Sequence, residues 1–266
     1  MTFKLHRGNC ALLVSMPHVG TDIPTELRAD YAPRALDVED TDWHLPRLYD
    51  FLPALGASIL QPQLSRYVID LNRPPDDTPM YPGAANTELC PTHFFSGDAL
   101  YLPGRAPDAV ERERRRLAYW RPYHEALAAE LQRLRQLHGY VLLWDAHSIR
   151  SQIAWLFDGT LPALNLGTAS GASADPSIAQ ALEQVCRDWP QFSQVLNGRF
   201  KGGYITRHYG LPEQRVHAVQ LEMCQNLYMQ EVAPFAYDAA RARAIAPLLQ
   251  AMLQSALGAC AARYGK

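Results

Sequence analysis

Short apolar runs alternate with helical patterns along this chain, and that alternation restricts the fold more than any other feature. Ala11 to Ser15, Tyr67 to Ile69, Tyr140 to Trp144 and Ala218 to Leu221 are short, rich in β-branched or large apolar residues and bounded by polar or turn residues, as buried strands are. Between them the spacing predicts helices over roughly Trp43 to Leu52, Ala109 to Leu137, Ser177 to Asp188 and Asp238 to Ala262. Strands alternating with helices imply an α/β fold, a mostly parallel sheet covered on both faces. With 266 residues and 48% hydrophobic content the chain can bury one full core, and a single domain over residues 1–266 is expected.

Charge excludes several partners. Lys and Arg total 25 against 27 for Asp and Glu, with no long run of one sign, so neither a nucleic-acid nor a membrane footprint is present and a small-molecule partner is expected. The Arg112 to Arg116 cluster alternates with Glu111 and Glu113 inside a helical pattern and reads as a solvated helix face. Met1 to Cys10 carries Lys4, His6 and Arg7 before only a short apolar run, too little for a signal peptide, which makes the cytoplasm the expected compartment. Five scattered cysteines without a C-x-x-C pair suggest reduced thiols, and Cys224, between apolar neighbours, reads as packing. Two stretches resist regular patterning, Asn72 to Leu102 and Asp158 to Pro176, and long loops of this kind in compact domains are often functional.

The chemistry lies just past the apolar runs. Met16-Pro17-His18 follows the first, Asp70-Leu71-Asn72-Arg73 the second, Asp145-Ala146-His147-Ser148 the third and Glu222 the fourth. The carboxyl ends of parallel strands share one edge, and ligands bind in the crevice outside it, so these groups converge by topology. A zinc ion that activates water needs three ligands from His, Asp or Glu, an open fourth position and a nearby carboxylate to take the proton. His18, His147 and one aspartate supply such a set, with Glu222 as general base. Each group also has a plainer reading: hydrogen-bonded loop histidines, a glutamate paired with an arginine and, preferred for Asp145, a turn or helix-cap residue. No G-x-S-x-G elbow, P-loop, G-x-G-x-x-G or H-E-x-x-H pattern supports another chemistry.

Six segments in order, Ser15 to Gly20, Asp40 to His44, Arg66 to Pro74, Asp145 to Ser148, Asn197 to Tyr209 and Gln220 to Met223, resemble the N-formylglutamate amidohydrolase family over about residues 10 to 230. The resemblance implies a three-layer αβα fold with a mostly parallel or mixed central sheet, similar to zinc-dependent exopeptidases. It makes His18 the first metal ligand, His147 the last and Glu222 the catalytic carboxylate. Asp42 is chosen over Asp40 as the middle ligand because it sets Leu45, Leu48 and Tyr49 on the apolar stripe of the following helix. Asp40 then caps or orients.

The implied reaction is zinc-dependent hydrolysis of N-formyl-L-glutamate to glutamate and formate, the last step of one route of histidine degradation. One zinc per chain is expected, with other divalent metals as alternatives. A dianionic substrate calls for arginine forks. Arg73 and Arg207 are the candidates, Arg66 their substitute, and Asn197, Lys201 and Tyr204 are expected to line the same pocket, with Gly198 to Gly203 as a lid. The rival readings are a zinc deacylase or carboxypeptidase-like amidohydrolase acting on another N-acyl amino acid, and a non-catalytic dicarboxylate-binding protein.

Overall fold

A computed structural model describes residues 2–80 and 86–265. Seven strands form one sheet: β1 (Phe3–His6), β2 (Leu12–Ser15), β3 (Ser58–Pro62), β4 (Val141–Ile149), β5 (Leu164–Gly167), β6 (Gln194–Leu196) and β7 (Val216–Cys224), in the spatial order β1-β3-β2-β4-β7-β5-β6. The run β3-β2-β4-β7 is parallel, whereas β1 joins β3 and β5 joins β7 antiparallel, so the sheet is mixed. The central strands β2, β4 and β7 are buried along their whole length, as a sheet covered on both faces requires.

Among the described residues six α-helices accompany the sheet: α1 (Leu45–Leu48), α2 (Ala109–Arg115), α3 (Arg121–His138), α4 (Pro176–Arg187), α5 (Tyr204–Tyr209) and α6 (Ala239–Tyr264). Side-chain alternation divides the core. Leu12, Val14, Leu142, Trp144, Val219 and Leu221 face one way, onto α1, α4 and α6, while Leu13, Val141, Leu143, Val216 and Ala218 face α3 and α5. This is the expected three-layer αβα arrangement. The helix ends follow local chemistry: Asp108 caps α2, Asp175 precedes Pro176 at the start of α4, Gly139 closes α3 at φ 81°, and Asp238 caps α6 through the Ala240 and Arg241 amides.

Several expectations are corrected. Tyr67 to Ile69 is a turn, not a strand; Tyr67 and Val68 are apolar because they fill a separate core among loops, with Ile23, Tyr31, Phe94 and Tyr101. The strand in that region is β3, next to the edge strand β1, with its side chains alternately buried and half-buried, one face packed more fully than the other. The stretch Asp158 to Pro176 is not wholly irregular, since it contains β5. Strands β4 and β7 run on to Ile149 and Cys224, so His147 and Glu222 lie within strands rather than past them. The helix expected over Trp43 to Leu52 shrinks to α1 followed by turns, although its stripe of Leu45, Leu48, Tyr49 and Leu52 is buried as the pattern requires. Arg115 is not on a solvated face: it points inward, donating to Val68 O and Tyr101 Oη while its Nε pairs with Glu111. Part of the long stretch Asn72 to Leu102, residues 81–85, lies outside the described residues.

Candidate metal centre

The β4–β7 register sets the site. Val141, Leu143, Asp145 and His147 fall on one face of β4; on β7, Gln220 and Glu222 stand opposite Asp145 and His147. Thus Asp145 is a mid-strand residue, not the turn or helix cap expected of it. His18 lies beyond the end of β2, and the backbone N–H of Asp42 donates to His18 O at 3.0 Å, tying the two segments together.

His18, Asp42 and His147 are buried and form a group able to hold a metal ion. Nδ1 of His147 lies 3.1 Å from Nδ1 of His18 and 3.2 Å from Oδ2 of Asp42, and the third side, His18 Nδ1 to Asp42 Oδ2, is 3.7 Å. Donor atoms around a tetrahedral ion with bonds of about 2.0 to 2.2 Å lie roughly 3.3 to 3.6 Å apart, so the triangle's sides differ from that spacing by only a few tenths of an ångström. The outer ring nitrogens face other partners: His18 Nε2 lies 2.7 Å from Asp70 Oδ1, and His147 Nε2 lies 3.0 Å from Asp145 Oδ1 and 2.9 Å from Asn72 Nδ2. The two Nδ1 atoms and the Asp42 carboxylate therefore point at one another, a set of donors that a cation would hold together.

The local charge balance agrees. Asp70, Asp42 and Glu222 interact with the buried Arg66, whose Nη2 donates to Asp70 Oδ2 at 2.7 Å, and Asp145 adds a further buried carboxylate beside His147. Burial pushes Glu222 up to about 8, with Asp42 and Asp145 adding to the rise and His147 and Arg66 opposing it. Burial works against a charged His147, yet Asp145, Asp42 and Glu222 together hold its imidazolium well above the usual histidine range. For His18 burial prevails, with Arg66 adding to it, and its basicity falls. A divalent cation held by the inner nitrogens and Asp42 would supply the positive charge that these carboxylates otherwise draw onto His147.

Asp40 is placed elsewhere. Its carboxylate accepts from Tyr67 Oη at 2.8 Å, Phe95 N at 2.9 Å and Arg150 Nη2 at 2.7 Å, which ties loops together and leaves Asp42 as the aspartate of the triangle. Asp70 is the partner that sequence reasoning missed. The signal for it in the sequence is the need for a carboxylate behind each ligating histidine; by position alone Asp70 reads only as the polar end of an apolar run. The expected outcome for Asp70→Asn or Asp145→Asn is a metal affinity about 10- to 100-fold weaker, read by competition with a chelator, since each aspartate fixes a ring and its tautomer.

The triangle opens into a cavity of about 370 Å³ lined by His18, Asp42, Arg66, Asn72, Arg73, His147, Gln220 and Glu222, with Phe95, Ile149, Leu156 and Phe200 as an apolar wall. Gly198, Arg199, Lys201 and Gly203 complete one side, and Asn86 and Thr87 another. Arg73 lines the cavity; its Nε and Nη2 donate to Thr87 and its Nη1 to Asn72 O, and Nη1 also lies 4.0 Å from the buried Asp70 Oδ2. Three other expected pocket residues are not in the lining. Arg207 is on the exposed side of α5 with Nε on Gly202 O, because Ile205 and Thr206 take the inward positions of that short helix. Tyr204 belongs to an aromatic cluster with Trp120, His124 and His208. Asn197 sits at φ 53° and uses its side-chain amide to fasten Thr168 and Ser170. Cys224 packs against Leu161 and Pro162 carbonyls, and burial pushes its thiol up to about 12.

Residues 10–229 match the family model described as N-formylglutamate amidohydrolase. The chain is 54% identical to an N-formylglutamate deformylase of Pseudomonas aeruginosa, covering 99% of this chain and 98% of that protein. It is 51% identical to an N-formylglutamate deformylase of Pseudomonas putida, covering 98% and 97%. Among solved structures, N-formylglutamate amidohydrolase from Ralstonia eutropha superposes with a TM-score of 0.79 at 24% identity, over 97% of each chain, which shows the same fold.

Proposed function

The chain belongs to the N-formylglutamate amidohydrolase family, and from that membership we propose that it hydrolyses N-formyl-L-glutamate to L-glutamate and formate with one zinc ion per chain, a step that serves histidine breakdown. The observation that carries the zinc dependence is the buried His18, Asp42 and His147 triangle, with each histidine backed by an aspartate. Zinc bound there supplies a Lewis acid for the formyl oxygen and brings a water's pKa to about 7. Glu222, facing the cavity from the β7 position opposite His147, accepts the proton of the attacking water and delivers it to the leaving nitrogen. Arg73, at the cavity wall and only at the 4.0 Å edge of ion-pair distance from Asp70, binds a substrate carboxylate. The apolar wall excludes water from the reacting face.

The test is formate release from N-formyl-L-glutamate before and after chelation and again with zinc restored. The expected result is release that vanishes with the chelator and returns with zinc. Release that persists in verifiably metal-free protein removes the zinc from the mechanism. A second reading, deacylation of a larger N-acyl amino acid, is favoured by the apolar wall of Phe95, Ile149, Leu156 and Phe200. Turnover of N-acetyl-glutamate faster than the formyl compound would make it the better one.

A further inference from the structure

The site already described accounts for the metal, the base and one carboxylate, and leaves two cations of the cavity without a task. Arg199 and Lys201 line the cavity from the loop between β6 and α5. Among the described residues neither has an acidic partner within ion-pair distance, whereas Arg66 is paired with Asp70. An uncompensated guanidinium facing a cavity is a ready site for a carboxylate.

The loop is built to hold these charges in place. At its start Asn197 fastens the Thr168 and Ser170 amides at 2.8 and 3.2 Å. Lys201 O accepts from Ala169 N at 2.6 Å, and Gly203 N donates to Gln220 Oε1 at 2.6 Å. Gly203 has no room for a side chain, since a Cβ there would lie 2.4 Å from the Asn72 amide. The exposed Arg199 guanidinium lies over the rings of Phe157 and Phe200, 5.3 and 5.9 Å from their centroids, so two aromatic faces help to place it.

We propose that Arg199, assisted by Lys201, binds the side-chain carboxylate of the substrate and makes the enzyme select an acidic over a neutral N-acyl amino acid. This rests on the hydrolytic reading above. Arg73, three residues from the Asp70 that fixes His18, belongs to the same rigid segment as the metal centre and takes the carboxylate beside the scissile amide. Arg199 stands on a separate loop and takes the distal one.

The experiment compares kcat/KM for N-formyl-L-glutamate and N-formyl-L-glutamine, which differ in the charge of the side chain and hardly in shape. The unmodified enzyme is expected to favour glutamate. Arg199→Ala is expected to lose on the order of 10- to 100-fold on glutamate, chiefly in KM, and a much smaller factor on glutamine. Lys201→Ala should do the same to a lesser degree, and Arg199→Lys should recover part of the loss. An equal loss on both substrates, or none on glutamate, overturns the assignment. If the unmodified protein releases formate from neither, the hydrolytic reading fails while the carboxylate site stays testable, by calorimetric binding of glutarate and butyrate to the zinc-loaded protein. A loss of glutarate affinity confined to Arg199→Ala and Lys201→Ala supports the site; equal affinity of all three proteins for glutarate sinks it.

Discussion

Glu222→Gln is expected to lower kcat for formate release by on the order of 10² or more while zinc content and substrate affinity stay close to those of the unmodified protein. The amide keeps the shape and the position on β7 opposite His147 but cannot take a proton. The pH dependence gives an independent check. In the metal-free site burial and the neighbouring carboxylates push Glu222 up to about 8. A divalent cation among His18, Asp42 and His147 opposes that rise, because it favours the charged carboxylate. A base works only when ionised, so kcat/KM should rise with pH through an apparent value below about 8. The residual rate of Glu222→Gln should lack that limb. Near-normal turnover in the variant, or an unchanged acid limb, would take the proton transfer away from Glu222.

The second large effect is loss of the metal. His147→Ala removes one corner of the ligand triangle and leaves Asp145, Asp42 and Glu222 facing one another without their histidine. The purified variant is expected to carry far less than one zinc per chain, and to release no formate above background. Asp42→Ala should behave alike, and the informative contrast is Asp40→Asn. That residue joins Tyr67, Phe95 and Arg150, outside the triangle, so its replacement should keep the zinc and cost about 1 to 3 kcal/mol of stability, seen as a lower Tm. Zinc retained by Asp42→Ala and lost by Asp40→Asn would exchange the two assignments. Metal analysis beside thermal unfolding separates the cases, because a misfolded variant loses both signals together.

The alternation of apolar runs with helical periods determined the layer arrangement, because a strand buried on both faces has to be apolar throughout and a covering helix has to carry a stripe; β2, β4, β7, α3, α4 and α6 obey this. It also placed His18, His147 and Glu222 near one sheet edge, since parallel strands end together. Local sequence did not determine where a strand ends when polar residues continue it. His147 and Glu222 extend β4 and β7 because hydrogen bonding between neighbouring strands does not depend on side-chain polarity. Nor could it say that Tyr67 and Val68 are apolar for the sake of a core between loops. The tertiary structure added that Asp42, the residue the sequence favoured, is the aspartate grouped with the two histidines, placed Asp70 behind His18 across 52 residues of chain, and left Arg207 on the exposed side of α5 while Arg199 lines the cavity. The reason is physical: a periodic pattern reports which face of an element is buried, whereas the partner of a charged side chain is fixed by contacts between segments far apart in sequence.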